Sequence, residues 1–306
     1  MTLTELRYIV AVARERHFGR AAEACFVSQP TLSVSIKKLE EELDVKIFER
    51  GASEVTVTPL GDEIVRQAQM VIEQASAIKE IAKRGKDPVS GPLRLGVIYT
   101  IGPYLLPDLV RQAIEHVPQM PLILNENFTA KLLEMLRTGE LDCAIMAEPF
   151  PDTGLAVAPL YDEPFMAAVP KGHPFAKRKS ISTDEMKSET MLLLGTGHCF
   201  RDHVLEVCPE YARFSSHAEG IRKSFEGSSL ETIKYMVASG MGVTVVPQLS
   251  VPKEAQPHIV YVPFVKPVPT RRVVLAWRRT FTRYEAIAAL RNAVYSCELP
   301  GVTRLS

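Results

Sequence analysis

The sequence has no excess of charge of either sign. Its 306 residues carry 36 basic and 36 acidic side chains, a formal net charge of zero. A chain that coats nucleic acid through bulk charge is excluded, so any contact with DNA must come from a local patch. Long apolar runs are missing too. None reaches the roughly 18–20 uncharged residues that a membrane span needs. Glu5, Arg7 and Arg14 interrupt the apolar N-terminus, which therefore does not read as a signal peptide. Cysteine is scarce: Cys25, Cys143, Cys199, Cys208 and Cys297 form an odd, sparse set. Such a set is no disulfide framework. It points to a reducing cytoplasm, where a disulfide is transient or sensory. With 46% apolar and 24% charged residues the chain is globular in composition. Its length suggests two or three compact units, at about 100–200 residues each.

The first sixty residues read as short helices followed by a hairpin. Thr2-Leu3-Thr4-Glu5 matches a capping box, and Leu3, Leu6, Val10 and Ala13 continue it as an apolar helical stripe. A second helix fits Arg20 to Cys25. Ser28 can cap a third, with Pro30 in its first turn, where a missing N–H costs nothing. Ile47–Arg50 and Val55–Thr58 flank the turn Gly51-Ala52-Ser53-Glu54 as two short strands. Thr58-Pro59 opens a long helix with acids in its first turn. On it Ile64, Ala68, Val71, Ala75, Ile78 and Ala82 alternate spacings of four and three, an a/d seam. Such a seam either lies on its own domain or pairs two chains; we take it as a dimerisation seam, because few neighbours precede the linker Arg84–Pro92. From about residue 93 strands and helices alternate, the pattern of a parallel or mixed α/β sheet. Strands are expected at Leu93–Val97, Leu122–Leu124, Cys143–Ala147, Phe165–Val169, Met191–Leu194, Val243–Val246 and Val273–Trp277. Helices are expected at Ala130–Arg137, Leu230–Ala238 and Tyr284–Tyr295, the middle one opened by a capping box that starts at Ser228.

Laid out at about 100° per residue, the third helix turns Leu32, Ile36, Leu39 and Leu43 toward a core. Its other face offers Thr31, Val34, Lys37 and Lys38, with Gln29 and Pro30 at the N-terminal end. That face suits a major groove, where Gln reads adenine, Thr touches a thymine methyl and Lys meets phosphate. An ordinary amphipathic surface helix has the same periodicity, and residues 1–60 hold eight basic against nine acidic side chains. The string from Phe18 to Ser33, Phe-Gly-Arg-Ala-Ala-Glu-Ala-Cys-Phe-Val-Ser-Gln-Pro-Thr-Leu-Ser, separates the two readings. It resembles the helix-turn-helix of LysR-type transcription regulators, and it continues in register through Ile36–Glu40, Phe48-Glu49-Arg50 and Thr58-Pro59-Leu60-Gly61. The resemblance implies an α/β protein with an all-α N-terminal part. A winged helix-turn-helix would span residues 1–58 and a linker and dimerisation helix with its hinge residues 59–91. A two-lobed regulatory domain like the periplasmic binding proteins would fill 92–306, lobe I about 92–163 and 268–306, lobe II about 164–267. It also implies that Gln29, Pro30, Thr31 and Ser33 contact promoter DNA, supported by Lys37 and Lys38, with Arg50 in the wing.

A second constellation is Gly195-Thr196-Gly197-His198-Cys199-Phe200-Arg201-Asp202-His203, followed by Cys208-Pro209. A thiol reacts as its thiolate, which cationic neighbours and a helix N-terminus favour. Cys199 has His198, Arg201 and His203 within one helical turn. Cys199 and Cys208 are nine residues apart. On an intact helix that is a rotation of about 900° and a rise of about 13.5 Å, whereas a disulfide needs Cα atoms within about 7 Å. The two join only if the segment unwinds, so the bond would make a poor staple and a good switch. Inert buried cysteines are the plain alternative. Zinc held by His198, Cys199, His203 and Cys208 is another, but the spacing is not that of a zinc finger. A redox enzyme is a third, without the expected Cys-x-x-Cys.

This stretch, with Ser229-Leu230-Glu231-Thr232 downstream, closely resembles the peroxide-sensing OxyR type of the LysR family. The resemblance implies that Cys199 is the peroxidatic thiol and Cys208 the resolving one, and that Thr100, Thr129, His198 and Arg201 form the peroxide pocket. It implies a cytoplasmic regulator and not an enzyme, without metal or cofactor. Its partners would be promoter DNA, hydrogen peroxide as oxidant, RNA polymerase and a cellular thiol reductant of the glutaredoxin or thioredoxin system. The homodimer would assemble to a homotetramer. The alternative within the family is a regulator that answers a small organic effector, with inert cysteines.

Overall fold

The computed structural model describes residues 1–50, 55–83, 89–151, 154–208, 224–227 and 229–305, with backbone alone at residues 50, 79–83 and 224–227. The Gly51–Glu54 turn, Arg84–Pro88 of the linker, Pro209, Ser228 and the side chains of Arg50 and Ala82 lie outside the described residues.

Three helices open the chain: α1 (Leu3–Glu15), α2 (Phe18–Ala24) and α3 (Gln29–Leu43). The capping box on α1 forms as its sequence dictates. The Thr2 hydroxyl accepts the Glu5 N–H at 3.2 Å, and the Glu5 carboxylate accepts the Thr2 N–H at 2.7 Å. Ser28 caps α3 by accepting the Thr31 N–H. Leu32, Ile36 and Leu39 are fully buried against Ile9, Val12 and Ala21, so the apolar stripe of α3 fixes which face stays free. Strands β1 (Phe48–Arg50) and β2 (Val55–Val57) pair antiparallel. The buried Glu40 carboxylate accepts the N–H groups of Ile47 and Phe48 at 2.8 and 3.1 Å, tying this hairpin to α3.

The long helix α4 (Pro59–Lys83) divides the expected seam. Ala68 is 2% exposed in the cluster it shares with α1, and Ile64 packs against the same cluster. Ala68 therefore does not face a second chain: the seam's first half is spent on the helix-turn-helix of its own subunit. The reason is α1, which lies along α4 and covers that side. Ala75 is half-buried, whereas Val71 and Ile78 are exposed, Ile78 at 68%. Farther along, Glu73 makes a largely buried ion pair with Arg278 at 2.6 Å and accepts the Thr280 hydroxyl at 2.8 Å.

The remainder has two hydrophobic clusters. In the first, β3 (Leu93–Ile98) lies parallel to β4 (Leu122–Asn127) and β5 (Cys143–Glu148), with α5 (Gly102–His116) and α6 (Thr129–Arg137) between them in the chain. The 16-residue β6 (Leu155–Pro170) joins the clusters. Its first half pairs with β11 (Thr270–Arg278), its second with β9 (Thr244–Pro247) and β10 (Ile259–Pro263), giving the order β10-β6-β11-β5-β3-β4. The second cluster gathers β7 (Met191–Leu194), β8 (Ser224–Gly227), α7 (Cys199–Val207) and α8 (Leu230–Ala238). α9 (Tyr284–Ser296) packs back on α5 in the first, and β12 (Thr303–Arg304) pairs with β6.

All the expected strands and helices form. Sequence reading missed α5, because Pro103 and Pro107 argue against a helix there; one sits in the first turn and the other is accommodated inside. It also missed the first half of β6 and all of β10. Ser229 caps α8 by accepting the Thr232 N–H, one position past the start of the expected capping box.

Candidate functional site

Cys199 is the first residue of α7, and it stands where the two clusters meet. β3 ends at Ile98, so Tyr99 and Thr100 form its C-terminal mouth. β4 ends at Asn127, so Phe128 and Thr129 form the next mouth. Ligands gather at such carboxyl ends in open α/β sheets. Gly197, at φ +98°, swings His198 and Cys199 across these mouths. A side chain there would be strained and would meet the Phe128 ring at 3.3 Å. The His198 ring stacks edge-on against Phe128 at 4.8 Å between centroids and tilts against Tyr99 at 5.9 Å.

Thr100, Thr129, His198 and Cys199 line one small cavity with Tyr99, Phe128 and Gly197. It offers about 10 Å³ to the centre of a water-sized molecule. By that measure one water needs about 10–15 Å³, so the cavity is of single-water size and has no room for an organic effector. The buried Thr129 hydroxyl finds no oxygen or nitrogen partner and stands beside the Cys199 sulfur. Thr100 is held from behind: Arg271 donates to its hydroxyl at 2.8 Å and to its carbonyl at 3.0 Å.

Two expectations about the thiol are corrected. Arg201 does not line the cavity: it is buried and donates to the Leu194 carbonyl of β7 at 2.9 Å. His203 donates from Nε2 to the Glu148 carbonyl at 2.8 Å, and burial holds its pKa below the ordinary histidine value, so it is neutral. The cation that acts on Cys199 is Arg271, distant in sequence and on β11. Burial pushes the Cys199 thiol up. The Thr129 hydroxyl, Arg271 and the Phe200 N–H pull it down, while Asp202 pushes it further up, and burial wins. The resting thiol is therefore protonated at neutral pH. No local pattern marks Arg271, one of three arginines on β11.

Cys208 ends α7 at its C-cap and is fully buried in the second cluster, its sulfur 4.0 Å from the Thr183 carbonyl. Cys199 packs against the first cluster instead. The intact α7 thus keeps the two apart, at about 1.5 Å of rise per residue. All five cysteines are free thiols. Cys143 and Cys297 are buried packing residues whose thiols burial pushes up, and Cys25 is half-buried at the end of α2.

On the helix-turn-helix Gln29, Pro30, Thr31, Lys37 and Lys38 lie exposed on one side of α3, with Ser33 half-buried. Lys37 is 3.6 Å from Glu41, an exposed pair that a phosphate can replace at little cost. Among the described residues, no helix is long and apolar enough to cross a membrane.

Residues 3–62 match the bacterial regulatory helix-turn-helix protein family, lysR type, and residues 86–296 match the LysR substrate binding domain. The chain is 40% identical to the DNA-binding transcriptional dual regulator OxyR of Escherichia coli strain K12, over 94% of each protein. It is also 40% identical to the hydrogen peroxide-inducible genes activator of Pectobacterium carotovorum, over 94% of this chain and 95% of that one. Among solved structures it superposes on a full-length cysteine-to-aspartate variant of OxyR from Pseudomonas aeruginosa. The TM-score is 0.81 at 51% identity, covering 97% of this chain and 96% of that one. A Corynebacterium glutamicum OxyR mutant with hydrogen peroxide bound superposes with a TM-score of 0.64 at 33% identity, covering 96% of this chain and 91% of that one. With both domain families matched and these relatives covering nearly its whole length, the chain belongs to the LysR family of DNA-binding transcription regulators, and within it to the hydrogen-peroxide-responsive OxyR type.

Proposed function

We propose that this regulator senses hydrogen peroxide through a reversible Cys199–Cys208 disulfide and thereby controls antioxidant genes from the cytoplasm. The observation that carries the reading is the one-molecule cavity that Cys199 closes with two threonine hydroxyls. Peroxide enters it, and the Cys199 sulfur attacks one oxygen as its proton leaves. The O–O bond breaks, the departing oxygen takes a proton and leaves as water, and Cys199 becomes a sulfenic acid. Cys208 then attacks that sulfur. The S–S bond forms and the sulfenic oxygen leaves with the Cys208 proton as a second water. Two electrons from a cellular dithiol, of the thioredoxin or glutaredoxin kind, restore both thiols. Because α7 separates the cysteines, bonding requires the helix to unwind, and an unwound α7 withdraws packed residues such as Phe200 and Val204 from the second cluster. That rearrangement resets the spacing of the DNA-reading helices in a tetramer of two dimers, and so the encounter with RNA polymerase. Mass mapping of peroxide-treated protein tests the reading: a Cys199–Cys208 bridged peptide is expected, and two free thiols after oxidation would leave the regulator to another signal.

On the DNA side, Gln29, Pro30, Thr31 and Ser33 enter the major groove, Lys37 and Lys38 meet phosphate, and Arg50 reaches the backbone from the wing. Gln29→Ala or Thr31→Ala is expected to weaken specific binding by about 1–3 kcal/mol, the cost of one lost base contact. Cys199 oxidation is expected to proceed at an unchanged rate, since the two sites belong to separately packed clusters. Titration of a selected operator duplex, beside stopped-flow oxidation, reads both. A parallel fall in peroxide reactivity would refute the separation.

A further inference from the structure

We infer that Glu163 is a positioning residue that sets how readily Cys199 ionises, by holding Arg271 in place and cancelling most of its charge. The inference concerns the ionisation itself; its bearing on sensing rests on the peroxidatic reading of Cys199.

Glu163 sits where β6 passes from one cluster to the other, and it is fully buried, as is Arg271. Their ion pair closes to 2.8 Å. Both carboxylate oxygens are committed: one accepts the Leu249 N–H at 2.8 Å, the other accepts Arg271 Nε at 2.9 Å. The guanidinium then has one orientation, with its two remaining nitrogens on Thr100 and its carbon 5.2 Å from the Phe200 ring centroid. Phe200 follows Cys199 directly. Arg271 is thus a fixed group behind Thr100, which lines the cavity, and beside Phe200.

The charge of the pair matters as much as its place. A cation out of reach of solvent acts on a nearby sulfur with little screening. An anion bonded to it at 2.8 Å cancels most of that action. Glu163 is the counter-ion, so Cys199 feels a short dipole and not a full positive charge. The other groups around the sulfur do not replace it. On the helix of Cys199, Asp202 opposes the thiolate, His203 is neutral on Glu148 and Arg201 is engaged with Leu194. His198 precedes the helix and packs on Phe128 and Tyr99, and α6 contributes only the Thr129 hydroxyl. Behind Thr100 of the cavity wall stands a buried charge pair, Arg271 with Glu163. With its charge largely cancelled, Arg271 pulls the thiol down too little to offset burial, and the resting thiol stays protonated.

Glu163→Gln keeps the size and one acceptor but removes the charge. The test is a pH titration of ultraviolet thiolate absorbance on the reduced full-length protein, taken as the difference from the Cys199→Ser protein. The thiolate fraction at pH 7 is expected to rise about tenfold, the scale of a lost neighbouring charge. Glu163→Asp, which retains the charge but draws it back, is expected to shift the curve less and in the same direction. In an Arg271→Gln background Glu163→Gln is expected to shift the curve less, because the carboxylate's own field remains while its hold on the arginine is gone. A merely structural role would not lower the titration at all, so an unchanged or raised curve overturns the inference. So does an equal shift without Arg271. Peroxide plays no part in this titration. If the thiolate fraction rises while the rate with peroxide does not, the peroxidatic reading of Cys199 fails and the assignment of Glu163 stands.

Discussion

Cys199→Ser is expected to abolish the transcriptional response to peroxide, whereas Cys208→Ser is expected to leave Cys199 reactive but unable to finish. The two sulfurs differ in ways that decide their order. Cys199 opens onto the cavity, begins a helix and has Thr129, Arg271 and the Phe200 N–H to favour its charged form. Cys208 is sealed in the second cluster with no exposed surface. It cannot meet peroxide first, and it cannot meet Cys199 until α7 opens. In Cys208→Ser the sulfenic acid therefore persists or is driven to sulfinic acid. A promoter-fusion assay in cells reads the loss of response. Thiol labelling after a brief peroxide pulse on each variant reads the order: the Cys199 thiol of the Cys208→Ser protein should vanish at least tenfold faster than the Cys208 thiol of the Cys199→Ser protein. Faster loss at Cys208 would reverse the assignment.

Which parts of this site are legible in the chain itself depends on how local the controlling interactions are. The cap residues Thr2 and Ser28 act over three residues, so their helices can be read from the sequence. The string around Cys199 marks the thiol and places it at a helix start for the same reason. The electrostatics of that thiol are a different matter. Neighbours in sequence, His198, Arg201 and His203, look like its activators, yet helical geometry and burial turn Arg201 to Leu194 and His203 to Glu148. The cation arrives from β11, 72 positions later in the chain, and its counter-ion from β6. Only the sheet order β6-β11-β5-β3 brings them to Thr100. The seam on α4 was half legible for a similar reason. Periodicity shows that a helix has an apolar side, but whether α1 or another chain covers it depends on how the helix-turn-helix folds back.

That division of α4 gives the second large effect. Ile78→Asp and Val71→Asp are expected to dissociate the dimer without unfolding the subunit. Both side chains are exposed in the single chain, so an aspartate there stays solvated and costs a monomer less than about 0.5 kcal/mol. In the proposed dimer the same carboxylate would be buried in an a/d seam without a partner, a loss of several kcal/mol and at least about a hundredfold in dimer affinity. Operator binding falls with it, because a helix-turn-helix dimer reads two half-sites and a monomer reads one. Ala68→Asp behaves differently. Ala68 is buried against α1 in its own subunit, so the charge disrupts the packing of the DNA-binding domain, by about 3–5 kcal/mol, before it reaches any interface. Sedimentation at micromolar concentration separates these effects from thermal unfolding of the same samples. Ile78→Asp should sediment as a folded monomer, and Ala68→Asp should melt early. If Ile78→Asp remains dimeric at that concentration, α4 is not the dimer seam, and the exposed Val71 and Ile78 are ordinary surface residues of a helix whose packed side runs through Ala68, Ile72 and Ala77.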